Sequence, residues 1–309
     1  MRILIHIDDA DQWREALASR LPEAEIFTSD QDAVDDIDYL AVWKPPAALL
    51  ERQARVKGIV NLGAGVDALL NNPGLPQDVP IVKLRDAGMG ELMADYVRYG
   101  VLHFQRDFDR YQRQEASAEW REIPVVAKVD WGVGILGLGA IGTHVAQSLA
   151  ADGFSVHGWS RSPKQVEGVT CHHGDDGLNE LLGRVRTLVT LLPDTQSTRH
   201  IVNADTLAAL PEGATLINPG RGPLVDESAL LEALGPGHEE GRLRGAILDA
   251  FPTEPLAADN PLWAHPRVRI TPHMAAPTLI EEAADQVADT LRAWEAGEPV
   301  TTVDREAGY

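Results

Sequence analysis

Three ionisable residues, far apart in the chain, each stand just past a strand-like run: Arg221 in INPGRGPL, Glu254 in ILDAFPTEPL and His273 in RITPHM. Histidine is the side chain best suited to exchange a proton near neutral pH. Arginine stays charged and can fork two donors onto a carboxylate or a carbonyl oxygen. A glutamate beside an imidazole favours its protonated form and fixes the ring. Together the three suit reduction of a carbonyl in a small anion, with Arg221 holding the anion, His273 supplying the proton and Glu254 orienting the acid. Taken singly, each has a plainer reading, Glu254 as a loop acid before Pro255 and His273 as the end of a strand. The glycines flanking Arg221 imply that the backbone there bends sharply or approaches something closely.

Such a reaction needs a hydride, and a nicotinamide cofactor supplies one. GVGILGLGAIGTHVAQSLA carries Gly137, Gly139 and Gly142 in the spacing G-x-G-x-x-G, with Ala140 and Ile141 inside it, after an apolar strand and before a helix. That context is the dinucleotide fingerprint: a tight turn, close backbone approach to a pyrophosphate, and a helix N-terminus that favours an anion. An NAD site carries an acidic residue about 20 residues further on. Here the next strand ends in WSRSPK, where Arg161 can clamp a 2′-phosphate and Ser160 and Ser162 can donate hydroxyl hydrogen bonds. NADP(H) is therefore expected in preference to NAD(H), which stays possible.

These groups need a scaffold that brings strand ends together. RILIHI, YLAVW and VKGIVN read as strands of a first α/β series. WGVGIL, FSVHGWS, VRTLVTLLP, GATLINPG, LRGAILDAF and RVRITPH read as six strands of a second. GELMADYVRYGVLHFQRDFDRYQRQ between them reads as one long amphipathic helix, and TLIEEAADQVADTLRAWEAG as another that returns to the first series. The expected fold is α/β, with two Rossmann-like doubly wound parallel-sheet domains and a cleft between them. In an open parallel sheet the C-terminal strand ends line the ligand crevice, so Arg221, Glu254 and His273 are expected to converge.

Composition excludes several classes. The chain has 309 residues, 44% apolar and 24% charged, enough for two domains of ordinary size. A formal net charge of −20 leaves no basic excess for a nucleic-acid partner. An anionic substrate then needs a fixed local cation, and Arg221 is the first choice. The N-terminal apolar run is too short for a signal core or a membrane span, so no membrane partner is expected. The single Cys171 permits no intrachain disulfide and fits a reducing cytoplasm. Cys171, His172 and His173 are adjacent and cannot all face one ion, so no metal is expected.

The order of fingerprint, NPGRG, LDAFPTEPL and TPH resembles the D-2-hydroxyacid dehydrogenase family over essentially the whole chain. VWKPP, NLGAGVD, GMGELMADYV, WSRS, PLWAHPRVRITPH and VDREAGY are similar to its branch that reduces glyoxylate and hydroxypyruvate. The resemblance implies that Arg221, Glu254 and His273 are the catalytic set, and that Leu192, Pro193, Asn218 and Asp249 line the cofactor. It implies that Ala64 and Gly65 hold the substrate carboxylate, with Trp43 and Lys44 beside them. It also implies a substrate domain of residues 1–95 and 276–309, flavodoxin-like, around an NADP-binding Rossmann domain of 96–275. A homodimer is implied through the segment after GMGE, with Trp120 reaching toward the partner. Two departures bear on substrate choice: Lys44 where a histidine is expected, and Pro219 where a small residue is more usual. The implied activity is NADPH-dependent reduction of small 2-oxo acids to D-2-hydroxy acids. The alternatives are a larger 2-oxo acid, phosphoglycerate or phosphite as substrate, or a nucleotide-sensing corepressor-like protein, which a substrate panel separates.

Overall fold

The apolar runs become parallel strands of two separate sheets. The computed structural model describes residues 1–30, 34–237 and 240–309. The chain divides into two units, Met1–Met89 with Thr278–Tyr309, and Gly90–Pro277.

In the first unit β1 (Arg2–His6), α1 (Ala10–Arg20), β2 (Glu25–Thr28), β3 (Tyr39–Val42), α2 (Ala47–Arg52), β4 (Gly58–Asn61), α3 (Asp67–Leu70) and β5 (Ile81–Lys83) follow one another. The strands pair in parallel in the order β2-β1-β3-β4-β5. This is a doubly wound order whose direction of growth reverses between β1 and β3. β3 and β4 are buried along their whole length, as central parallel strands covered on both faces must be. Leu4, Leu40, Val42, Leu50, Ile59 and Ile81 build the core on one face.

The second unit holds α4 (Met89–Gln105, its first residue aside), α5 (Phe108–Ala116), β6 (Gly132–Leu136), α6 (Ala140–Ala151), β7 (Ser155–Ser160), β8 (Thr170–His173), α7 (Gly174–Leu182), β9 (Thr187–Thr190), α8 (Ala204–Ala209), β10 (Thr215–Asn218), α9 (Glu227–Leu234), β11 (Gly245–Leu248) and β12 (Val268–Ile270). The sheet order is β12-β11-β10-β9-β6-β7-β8, all parallel, with the switch point between β6 and β9. Two apolar clusters cover its faces, one around Leu188, Leu216 and Leu248, the other around Val133, Ile135 and Ile217. α10 (Ile280–Glu295) belongs to the first unit, where Arg20 bridges to Glu281 and Asp285.

Two expectations change. Among the described residues the sheets have five and seven strands, not three and six, because β2, β5 and β8 were not recognised. The long helix expected across GELMADYVRYGVLHFQRDFDRYQRQ breaks at Asp107, which adopts φ 56. The buried Asp107 carboxylate meets Arg110 at 3.0 Å and Arg244 at 2.6 Å, and this ion-pair cluster replaces a continuous helical turn.

Candidate active site

β10, β11 and β12 are neighbours, and the loops leaving their C-terminal ends carry Arg221, Glu254 and His273. The imidazole Nδ1 of His273 lies 2.8 and 3.0 Å from the two carboxylate oxygens of Glu254. Nε2 therefore occupies the opposite side of a half-exposed ring. Glu254 is oriented in turn by the Phe251 N–H, which donates to Oε1 at 3.0 Å. His273 has φ 52, a conformation uncommon for a residue with a Cβ.

The loop bearing His273 is tied to Asp249, directly after β11. The Asp249 carboxylate is fully buried and accepts from the Thr271 hydroxyl at 2.6 Å and from the N–H groups of Met274 and Ala275, each at 2.9 Å. Tyr96 of α4 extends the chain, its hydroxyl 2.6 Å from Thr271 Oγ1. Burial, above all, pushes the Tyr96 hydroxyl far above the ordinary tyrosine range, so it stays protonated.

Arg221 begins the turn after β10. Asn218, the last residue of that strand and 1% exposed, accepts from Thr190 Oγ1 at 2.6 Å and donates to the Arg221 carbonyl at 3.0 Å. The glycine at 222 answers a packing demand of the chain itself: a Cβ there would lie 1.9 Å from the Phe251 carbonyl carbon. The Arg221 turn thus presses on the segment that leads to Glu254. Pro219 is buried in the same turn.

The fingerprint turn fits a pyrophosphate. Gly137 has φ 107, and a Cβ on Gly142 would come 1.8 Å from the Gly137 oxygen, so strand and helix meet too closely for any side chain. In front of Gly139, by contrast, a Cβ would meet nothing within 4 Å. No side chain caps the N-terminus of α6, and Gly139 and Ala140 are exposed, with Ile141 half-buried. The open N–H groups and the helix dipole together suit a phosphate anion. Leu192 and Pro193 follow β9, whose exit abuts the Gly137 turn through Leu191. At the end of β7, Arg161 and Ser162 are exposed, but Ser160 is buried and its hydroxyl donates to the Ser162 carbonyl at 2.8 Å. The Ser160 hydroxyl proton is thus engaged within the loop. Lys164 lies in the same exposed loop and is tied to the Leu138 carbonyl.

In the first unit the remaining expected residues cluster at the ends of β3 and β4. Ala64 and Gly65 are half-buried, the Trp43 ring packs on Gly63, and the Lys44 amine lies 5.7 Å from the Trp43 ring centroid. Lys44 is exposed and has φ 46.

Residues 99–275 match the model of the D-isomer specific 2-hydroxyacid dehydrogenase NAD binding domain. The chain is also 43% identical over 307 residues to glyoxylate/hydroxypyruvate reductase A of Serratia proteamaculans, covering 97% of each protein. The chain belongs to the D-isomer specific 2-hydroxyacid dehydrogenase family. Among solved members, a D-isomer specific 2-hydroxyacid dehydrogenase from Xanthobacter autotrophicus in complex with NADPH and MES superposes with a TM-score of 0.93 at 39% identity, covering 99% of both chains. An NADPH-dependent glyoxylate/hydroxypyruvate reductase from Sinorhizobium meliloti in complex with NADP and sulfate gives a TM-score of 0.91 at 36% identity, covering 100% of this chain and 99% of that one. As a D-2-hydroxyacid dehydrogenase, the protein is an oxidoreductase that acts on a CH–OH group with a nicotinamide dinucleotide.

Among the described residues, no group of three or more His, Cys, Asp or Glu could hold a metal ion, and no helix is long and apolar enough to cross a membrane. Residues of this neighbourhood that sequence reasoning passed over are Tyr96, Thr271 and Lys164. Only Lys164 carried a local signal, as a second cation three residues beyond Arg161.

Proposed function

We propose that the protein is an NADPH-dependent reductase of small 2-oxo acids, converting glyoxylate to glycolate and hydroxypyruvate to D-glycerate. The observation that carries the chemistry is the two-point contact of His273 Nδ1 with Glu254, which leaves Nε2 as the proton donor. The names of the relatives support the substrate class.

NADPH, when bound at the α6 N-terminus, supplies the hydride. Arg221 anchors the substrate anion and polarises the carbonyl, and the N–H groups of the loop at Ala64 and Gly65 hold the carboxylate. As negative charge develops on the carbonyl oxygen, His273 gives it the Nε2 proton, and Glu254 stabilises the ring by accepting from Nδ1–H. The product is an alcohol: one hydride on carbon, one proton on oxygen. Arg161, with Lys164 beside it, meets the 2′-phosphate, and Ser162 adds a hydroxyl. Leu192, Pro193, Asn218 and Asp249 line the nicotinamide half, the last two by holding loops in place.

We assign the protein to the cytoplasm and to a homodimer built on the second unit. The dimer is supported by a segment around 117–127 without helix or strand, with Trp120 fully exposed and Val125 60% exposed. Beside it lies a cavity of about 710 Å³ lined by Arg110, Arg113, Arg244 and Arg267, large enough to receive a chain segment. Following NADPH absorbance tests the function, as consumption of NADPH with glyoxylate, hydroxypyruvate or pyruvate and as formation from NADP+ with phosphoglycerate or phosphite. Preference for either of the first two supports it, and preference for phosphoglycerate or phosphite overturns the substrate assignment.

A further inference from the structure

We infer that Asn61 is a positioning residue for the substrate carboxylate, acting through the loop at 62–65; this rests on the reading above that the loop's N–H groups bind that carboxylate. Asn61 ends β4 and is 1% exposed. Its single amide nitrogen donates to the carbonyls of both Gly63 and Gly65, each at 2.9 Å. In a planar trans peptide the N–H of the next residue points opposite to the carbonyl. Drawing the Gly63 carbonyl inward therefore turns the Ala64 N–H outward, and drawing in the Gly65 carbonyl does the same for Val66. One buried side chain thus sets the direction of the Ala64 N–H, one of the two donors read above as holding the carboxylate, and through the Gly65 carbonyl it fixes the far end of the same loop.

The rest of the loop is clamped from its flanks. The Leu84 N–H also donates to the Gly63 carbonyl, at 3.2 Å, and the Leu62 N–H is held by Val42 at 2.8 Å. The Trp43 ring packs so closely on Gly63 that a Cβ there would come within 2.3 Å of it. These contacts fix where the loop lies. Asn61 fixes which way its peptides face, because its primary amide offers two donors from one uncharged atom. Serine offers one donor, alanine none, and an ionised aspartate would aim negative oxygens at two carbonyls.

The test compares wild type, Asn61→Ser, Asn61→Ala and Asn61→Asp in steady state with glyoxylate and NADPH. It adds inhibition by oxamate, a carboxylate that shares the 2-oxo acid shape and accepts no hydride. Asn61→Ala is expected to raise the KM for glyoxylate and the Ki for oxamate together by about ten-fold or more, the scale of one or two lost hydrogen bonds. Its kcat and KM for NADPH should stay within about three-fold, a difference of only about 0.7 kcal/mol. Asn61→Ser should fall between, and it serves if Asn61→Ala does not fold. Asn61→Asp should recover part of the loss relative to wild type as pH falls and its acid becomes a donor, whereas Asn61→Ala should not. Wild-type turnover with unchanged KM and Ki in the variants would overturn the role of Asn61. So would equal losses in kcat and in KM for NADPH, which mark a general structural defect. Wild type without turnover on any 2-oxo acid would instead refute the functional reading beneath it.

Discussion

The main-chain N–H of His273 donates to the main-chain oxygen of Asp249 at 2.9 Å, so the residue assigned as acid hangs on the peptide of a buried carboxylate. The same aspartate's side chain grips Thr271, Met274 and Ala275, which flank His273 on both sides. The left-handed backbone at His273 is a conformation that persists where its surroundings enforce it. Asp249→Ala would leave the buried Ala275 N–H, the part-buried Met274 N–H and the Thr271 hydroxyl without this acceptor, and should cost about 2–5 kcal/mol of stability. Chemical denaturation checks this. The surviving folded enzyme should lose kcat more than it gains KM for glyoxylate, because His273 is released from its position.

The cofactor preference is expected to rest on the exposed loop after β7. Arg161→Ala should raise the KM for NADPH by about ten-fold or more, the scale of a lost charge-assisted pair, and leave the KM for NADH nearly unchanged. Arg161→Asp should move the preference toward NADH. Titrating both cofactors with each variant checks the assignment, and an unchanged NADPH to NADH ratio would refute it.

Acid should destabilise the protein at a pH above the usual carboxylate range. Burial lowers the imidazoles of His6, His103 and His157 below the ordinary histidine value, and for His157 the neighbouring His172 and Arg184 act in the same direction. The unfolded chain then binds protons that the folded one refuses. The stability these groups contribute is complete above about pH 6.5 and is lost as pH falls toward their folded values. Tm should therefore drop between about pH 7 and 5, and His103→Met should flatten the slope. A Tm that rises over that interval would contradict the argument.

Much of this architecture is legible in the sequence where both faces of a strand are buried. GVGIL, TLVT, TLIN and GAIL are unbroken apolar or small runs, and they form the centre of the larger sheet. The strands that escaped detection are all at edges: EIFT, IVK and TCHH are short or polar because one side of each has no neighbouring strand. The break at Asp107 was hidden for another reason. It depends on Arg244, more than a hundred residues away, and no local pattern records that pairing.

The site divides in the same way. Arg221, Glu254 and His273 were readable because their chemistry is rare at strand ends, and Gly137 and Gly142 because only glycine fits their contacts. What Gly222 avoids, the Phe251 backbone, became visible only when β10 and β11 lay side by side. Ser160 and Asn218 have side chains that suit a ligand by type, yet their buried hydrogen bonds are made within the protein. Asn61 and Thr271 looked like ordinary polar residues because their importance lies in which backbone groups they meet.

The central claim is that His273, oriented by Glu254, protonates a 2-oxo acid as it is reduced. Its most direct test is the rate of NADPH consumption with saturating glyoxylate in wild type and in His273→Ala, measured on folded protein that binds NADPH equally well. The account predicts saturable turnover in wild type and a kcat lower by about two to four powers of ten in the variant. Undiminished turnover in His273→Ala, or no turnover of glyoxylate, hydroxypyruvate or pyruvate by wild type, would contradict it.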